Sequence, residues 1–497
     1  MKLPAGIYSV ASVRNIDAAA INDGGISGYK LMTRAGQAAV EEARRAYPEA
    51  KRWQVICGPG NNGGDGYVVA RFAAEQGIAV SVIFLTSPDD LSGDAATAYM
   101  DFAALGGSMA EFDGSLDAEA DLLFDGMLGS GLERPVTGQF GQAVAAINTH
   151  PAPVVALDIP SGLHGDTGAV LGTAVQANLT ITFVGLKSGL FLDHGPEHVG
   201  QLKFAGLDVP DEYRDREEPI LRRIDDDVIR KALPRRERSA HKGAFGHVLI
   251  VGGGPGMPGA VRICGEAALR AGAGLVSIAT HPCHSAQIPM GRPELMCRGV
   301  ASVDELEPLI EKASVIAVGP GLGTDEWSRS LLDAVLASNR PVVADADALN
   351  LVADGATREG DWILTPHPGE AARLLGSSTA AVQGDRRAAL AGLAGKLNGT
   401  IVLKGAGTLV SASSGAPWLC SAGNPGMASA GMGDALTGII AAFRAQQLSN
   451  ETAAVAGVKI HAMAGDRAAI PGERGMLASD LLAEIRQPLE LETDPLG

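Results

Sequence analysis

Asn424-Pro-Gly-Met-Ala-Ser-Ala-Gly-Met-Gly-Asp-Ala-Leu-Thr-Gly438 runs straight into the apolar stretch Ile439-Ile-Ala-Ala-Phe443. A loop of small residues opens into a helix, with one acid, Asp434, at its mouth. Small residues let backbone N–H groups approach an anion, and the helix N-terminus adds positive potential there. A carboxylate among phosphates gains little unless it accepts a proton, so the pattern points to phosphoryl chemistry on a hydroxyl. The alternative is that Asp434 only caps the helix.

The chain has 497 residues, too many for one ordinary core, and two domains are expected. Its 65 glycines and 4% aromatic content suit an α/β protein with tight strand-to-helix turns. A net charge of −17 argues against a nucleic-acid groove but leaves local phosphate sites open. Cys57, Cys264, Cys283, Cys297 and Cys420 are scattered, odd in number and without a CxxC, which fits a reducing compartment. The start, Met1-Lys-Leu-Pro-Ala-Gly6, shows no leader pattern. No stretch reaches the ~18 apolar residues of a membrane helix. A cytoplasmic protein is expected, without nucleic-acid or membrane partners.

Between about Asp211 and Lys242 dense mixed charge and prolines read as a connector with one short helix. The expected boundaries are a domain at 1–215, a charged linker at 216–240 and a domain at 241–497. On both sides short apolar runs alternate with helical stretches. Examples are Gln54–Cys57, Val80–Leu85 and Pro153–Asp158 before the connector, and His247–Val251, Val315–Val318 and Thr400–Lys404 after it. Such runs imply largely parallel sheets covered on both faces, with ligands at the carboxyl ends of the strands.

In the first half, Gln54–Cys57 leads into Gly58-Pro-Gly-Asn-Asn-Gly-Gly-Asp-Gly66 and then a helix from Tyr67. The loop is neither GxGxxG nor a P-loop and has no lysine, so it is not expected to cleave ATP. Asn61, Asn62 and Asp65 bring amide and carboxylate oxygens. Two more runs end in Asp125 and Asp158, and a carboxylate closing a buried strand needs a partner. That partner is a cation held by oxygens such as Asn62, Asp125 and Ser161, or the acid is kept for proton transfer, or it caps the next loop.

The segments Leu31-Met-Thr-Arg-Ala-Gly36, Asn61-Asn-Gly-Gly-Asp65, Asp125 with Gly129-Ser-Gly-Leu132, and Leu157-Asp-Ile-Pro-Ser-Gly162 resemble the NAD(P)H-hydrate epimerase family over residues 10–210. The resemblance implies a Rossmann-like three-layer domain with a potassium ion (K+) held by Asn62, Asp125 and Ser161. It implies substrate contacts from Asn61, Asn62, Gly63, Gly64 and Asp65, and from Gly129, Ser130, Gly131, Leu132, Glu133, Arg134 and Pro135, with Asp158 as the catalytic acid/base. Thr33 departs from the glutamate usual in that helix.

In the second half, His241–Ala260, Gly319-Pro-Gly-Leu-Gly323, Asp345-Ala-Asp-Ala-Leu-Asn350, Leu364–Glu370 and Leu403-Lys-Gly-Ala-Gly-Thr408 precede the opening loop. Their order resembles the ADP-dependent NAD(P)H-hydrate dehydratases of the ribokinase-like superfamily, over residues 225–490. Met432 departs from the threonine or alanine usual between the two glycines. The resemblance implies that Ala260, Gly321, His367 and Asp434 face the hydrated nicotinamide nucleotide. Lys404, Gly405, Ala406, Gly407, Thr408 and Gly433 would face the adenine nucleotide, and Asp434 would be the base. Lys404 offers a point charge for phosphates. His367 also reads as a plain loop histidine. Asp345 and Asp347 read as magnesium ligands, with helix capping favoured for Asp347. His281-Pro-Cys-His284 is too tight for tetrahedral zinc and reads as a surface loop.

Together the halves imply a bifunctional repair enzyme. The first would interconvert R and S epimers of hydrated NADH and NADPH (NADHX, NADPHX). The second would dehydrate the S epimer with ADP as co-substrate and Mg2+, giving NAD(P)H, AMP and phosphate. A homo-oligomer is expected. The rival readings are a vitamin or sugar kinase fused to a non-catalytic nucleotide-binding module, and an RNA-binding first half.

Overall fold

The computed structural model describes residues 3–356 and 361–489. Met1 and Lys2 of the opening stretch lie outside the described residues. The chain divides into two compact units, Met1–Arg222 and Arg223–Gly497. The charged segment expected as a linker contains a strand, Leu221–Arg223, and a helix, Asp226–Ala232.

The first unit is built on seven parallel strands. Their order is Ser108–Glu111, Ala79–Phe84, Arg52–Cys57, Leu122–Gly126, Val154–Leu157, Leu179–Phe183 and Gln201–Ala205. Successive side chains of one strand enter different cores. Val55 and Cys57 join Phe124 beneath helices Gly28–Ala46 and Asn61–Glu75, whereas Ile56 and Leu123 join Val144 and Ile147 on helix Gly138–Thr149. Burial on both faces is why these strands read as continuous apolar runs. The result is the expected three-layer α/β unit. A small strand, Gly6–Tyr8, pairs parallel with Leu186–Lys187 and antiparallel with Leu221–Arg223.

The loop expected before Tyr67 is shorter than its glycines suggested, because the helix already begins at Asn61. Gly63 and Gly66 lie inside it for want of space rather than for backbone freedom. A Cβ on Gly63 would sit 2.0 Å from the Gly58 carbonyl oxygen, and one on Gly66 would sit 2.7 Å from Cys57 Sγ.

The second unit runs Met296–Gly299, Leu275–Thr280, His247–Val251, Val315–Val318, Val342–Ala344, Trp362–Leu364 and Thr400–Leu403 in parallel. Thr408–Val410 and Trp418–Cys420 then extend it antiparallel. Helices Pro258–Arg270, Met432–Ala445 and Asn450–Ala468 pack together over one core. Gly438 allows the first two to touch, since a Cβ there would lie 2.1 Å from the Cys264 carbonyl oxygen. Among the described residues no helix is long and apolar enough to cross a membrane.

Candidate active sites

Strand ends position the first site. A cavity of about 940 Å³ is lined by Asn61, Asn62, Asp65, Gly129 to Arg134 and Asp158, so the topology gathers most of the residues picked out from the sequence. Gly63, Gly64 and Pro135 do not line it. Asp158 follows strand Val154–Leu157 and holds the left-handed conformation, φ 65°. Its carboxylate is ion-paired to Lys187, whose side chain is 2% exposed. The Lys187 ammonium also donates to Thr182 Oγ1 (3.1 Å) and the Phe183 carbonyl (2.9 Å), so all its protons are used.

Lys187 and Asp17 were missed in the sequence. A lysine inside the apolar run Leu179–Leu192 was the available signal, because a buried ammonium demands a partner. Asp17 sits on helix Val10–Asn22, beside the buried stripe Val13, Ile16 and Ala20, and lines the same cavity. Burial pushes its carboxyl up to about 6, with Lys187 opposing and Asp158 adding. Asp65 is raised well above the usual carboxylate range by burial, then by Asp158 and Asp17.

Asn62, Asp125 and Ser161 meet around the backbone of Leu128. Ser161 Oγ donates to Asp125 Oδ1 (2.6 Å) and accepts from the Leu128 N–H (2.8 Å), and the Ser161 N–H donates to Asp125 Oδ2 (2.7 Å). The Asn62 amide donates to the Leu128 carbonyl (3.1 Å). Its oxygen, Oδ1, is buried without a hydrogen-bond partner among the described residues. Burial raises Asp125 to about 6 despite hydrogen bonds from Ser161 and Met127. An orphaned amide oxygen beside a buried carboxylate suits a hard cation taking oxygen ligands.

In the second unit the glycine-rich loop ends at Gly431, φ 88°, which caps helix Met432–Ala445 and places Asp434 in its first turn. Burial raises Asp434 to about 6, with Asp345 adding and Lys404 opposing. Lys404 donates to Asp345 Oδ1 (2.7 Å), and Thr437 Oγ1 donates to Asp345 Oδ2 (2.7 Å). Burial would raise Asp345, but Lys404, Thr437 and Thr365 outweigh it and hold the carboxyl below its ordinary range. Glu370 lies 3.9 Å from Lys404 and is pushed up to about 7 by burial. Lys404 is therefore engaged by carboxylates, and a Cβ on Gly433 would lie 3.3 Å from its Nζ. The buried Arg386 guanidinium donates to the carbonyls of Leu403, Lys404 and Gly407 and so shapes the loop that holds Gly405, Ala406 and Thr408.

Ala260 and Gly321 are neighbours, a Cβ on Gly321 lying 3.1 Å from that of Ala260. His367 caps helix Pro368–Leu375, its Nδ1 accepting from the Gly369 N–H (2.9 Å) while Glu370 accepts from the His367 N–H (2.8 Å). Asp347 does not cap its helix, where Ala346 takes that position; its carboxylate accepts from the Gly323 N–H (2.8 Å). His281 to His284 form a short turn after strand Leu275–Thr280. Among the described residues no group of three or more His, Cys, Asp or Glu could hold a metal ion. A larger cavity of about 1420 Å³ lies at the other ends of helices Pro258–Arg270 and Met432–Ala445, and none of the candidate site residues lines it.

A family model described as NAD(P)H-hydrate dehydratase matches residues 248–487, and one described as YjeF-related protein N-terminus matches residues 28–189. A bifunctional NAD(P)H-hydrate repair enzyme of Coxiella burnetii is 47% identical over 97% of this chain and 98% of its own. The enzyme of that name from Escherichia coli is 42% identical over 98% and 94%. A crystal structure of the ADP/ATP-dependent NAD(P)H-hydrate dehydratase of Bacillus subtilis, co-crystallised with ATP and Mg2+, is 30% identical over 54% of this chain and 97% of its own, with a TM-score of 0.49. The chain belongs to the family of bifunctional NAD(P)H-hydrate repair enzymes.

Proposed function

We propose that the chain returns hydrated NADH and NADPH to use in two steps, one in each unit. The observation that supports this best is that each unit buries its own carboxylate–lysine pair at strand carboxyl ends, Asp158 with Lys187 and Asp345 with Lys404.

In the first unit Asp158 exchanges a proton with the hydrated ring during epimerisation. Asn61, Asn62, Asp65 and Gly129 to Arg134, which line the cavity, contact the substrate, and Gly63, Gly64 and Pro135 belong to the segments that carry them. Asn62, Asp125 and Ser161 would hold a potassium ion, which supplies positive charge beside the Asp125 carboxylate.

In the second unit Asp434 takes the proton of the ring hydroxyl as that oxygen attacks the β-phosphate of ADP and AMP leaves. A carboxyl near 6 is mostly ionised at neutral pH yet still basic enough to accept the proton. The phosphate then leaves with the electrons of the C–O bond while the neighbouring ring carbon gives up a proton to it, which restores the ring double bond and releases phosphate. Ala260, Gly321 and His367 face the nicotinamide nucleotide, and Lys404 to Thr408 with Gly433 face the adenine nucleotide. Magnesium would enter on the nucleotide phosphates, needing only one or two protein carboxylates, and would screen phosphate charge. A cytoplasmic homo-oligomer completes the reading, the compartment supported by five cysteines that are all free.

The test follows reduced-nicotinamide absorbance after mixed-epimer NADPH hydrate is mixed with ADP and Mg2+. Wild type recovers all of it, Asp434→Asn recovers none, and Asp158→Asn stalls once the S epimer is consumed. Complete and equally fast recovery by Asp158→Asn would remove the epimerase assignment. No recovery by wild type with ADP or ATP would favour the small-molecule kinase.

A further inference from the structure

Water adds to an enamine ring so that the hydroxyl sits on the carbon beside the ring nitrogen. To invert that carbon, the C–O bond must break and water must return on the other face. The nitrogen lone pair forms a C=N bond as the hydroxyl leaves, and the departing oxygen needs a proton to leave as water. The returning water must then lose a proton. One group has to give a proton and another to take one, on opposite faces of the ring, a division of labour that two carboxyl groups meet well.

Resting on the epimerase reading, we propose that Asp17 is the second proton-transfer residue of the first unit, working across the cavity from Asp158. Asp17 gives its proton to the leaving hydroxyl of one epimer, and Asp158 takes the proton of the water that adds to the opposite face. In the reverse direction the roles exchange, so both epimers are processed.

Three observations carry this. Asp17 and Asp158 line one cavity but come from different elements, a helix near the start of the chain and the end of a central strand. Lys187 pairs with Asp158 and lies close enough to Asp17 to influence its charge, so the two carboxyl groups face one cation unequally. Burial also raises the Asp17 carboxyl to about 6, so it keeps a proton to higher pH than an ordinary carboxylate does. The charged groups that act on it are Lys187, Asp158 and Asp65, and the cavity is also lined by Arg14, Asp94, Glu133 and Arg134.

The experiment measures epimer exchange of purified NADPH hydrate by chromatography, without ADP, across pH 5–9. Wild type, Asp17→Asn and Asp17→Glu are compared, with thermal unfolding as a control for folding. The expected result for Asp17→Asn is a kcat lowered about 100-fold or more, the range of general acid catalysis, with KM within about twofold. The decline of wild-type rate above about pH 6 should vanish in Asp17→Asn and return in Asp17→Glu with part of the activity. A kcat for Asp17→Asn within threefold of wild type overturns the proposal. So does a loss confined to KM, or a folded Asp17→Glu with no activity and no alkaline decline. Failure of wild type to exchange epimers would overturn the epimerase reading instead.

Discussion

Asp345→Asn tests the centre of the second site, because the substitution keeps shape and removes one charge. Asp345 is 1% exposed and accepts from both Lys404 and Thr437. Breaking a buried ion pair by neutralising one partner costs about 3–5 kcal/mol, since the other charge stays buried. Lys404 is 17% exposed and keeps Glu370 at 3.9 Å, so the lower end, about 3 kcal/mol, applies. For a unit of this size that is a fall of about 5–6 °C in Tm. The sign with pH follows from the direction of the shift. Asp345 is held below its ordinary range, so its contribution is present above the unfolded carboxylate value and is lost as pH falls through the folded one. The gap between variant and wild type should therefore be full at pH 7 and close only below about 4. There is a second readout. Asp345 helps hold Asp434 near 6, so its removal should move the acid limb of dehydratase activity downward, by about one unit for a like charge nearby. Calorimetry and the absorbance assay at stepped pH measure both. A variant that melts within 1 °C of wild type, or whose acid limb stays put, would refute the assignment of this pair as the site's buried anchor.

Ser161→Ala removes the hydroxyl that donates to Asp125 and receives the Leu128 N–H. The first unit should lose about 1–3 kcal/mol, and epimer exchange should lose any stimulation by potassium over choline. Gly431→Ala forces a side chain into φ 88° and sets its Cβ 2.7 Å from Ile263 Cδ1. The local cost is about 1–2 kcal/mol, and the shifted helix start should raise KM for ADP while epimer exchange is unchanged.

Strands buried on both faces were legible because every residue of a run such as Val154–Leu157 is apolar. The edge strand Ser108–Glu111 was not, because three of its four residues are exposed and its sequence carries no apolar run. The strand-end acids Asp125 and Asp158 stood out because a carboxylate closing such a run is costly to bury. Their partners did not, since pairing is a tertiary fact. Lys187 lies 29 residues from Asp158, and Lys404 lies 59 from Asp345. The start of helix Asn61–Glu75 was hidden for a different reason. Glycines there satisfy close contacts with Gly58, Met32 and Cys57, and a sequence shows glycine without showing which demand it meets.

The two lysines also explain why similar acids take different tasks. In the first unit the cation pairs with Asp158 itself, while burial raises the Asp17 carboxyl, which lines the same cavity, to about 6. In the second unit the cation is bound by Asp345 and Glu370, so Asp434 stands outside the pair, raised to about 6 by burial and by the neighbouring carboxylate. Pairing Lys404 directly with Asp434 would make that acid a weaker base, and the ring hydroxyl would keep its proton. In the proposed reaction Asp345 would act through Lys404, occupying the cation that would otherwise quench the base. For that reason Asp345→Asn is expected to lower the basicity of Asp434 as well as the stability of the fold, and a variant with full dehydratase activity and an unmoved acid limb would refute that coupling.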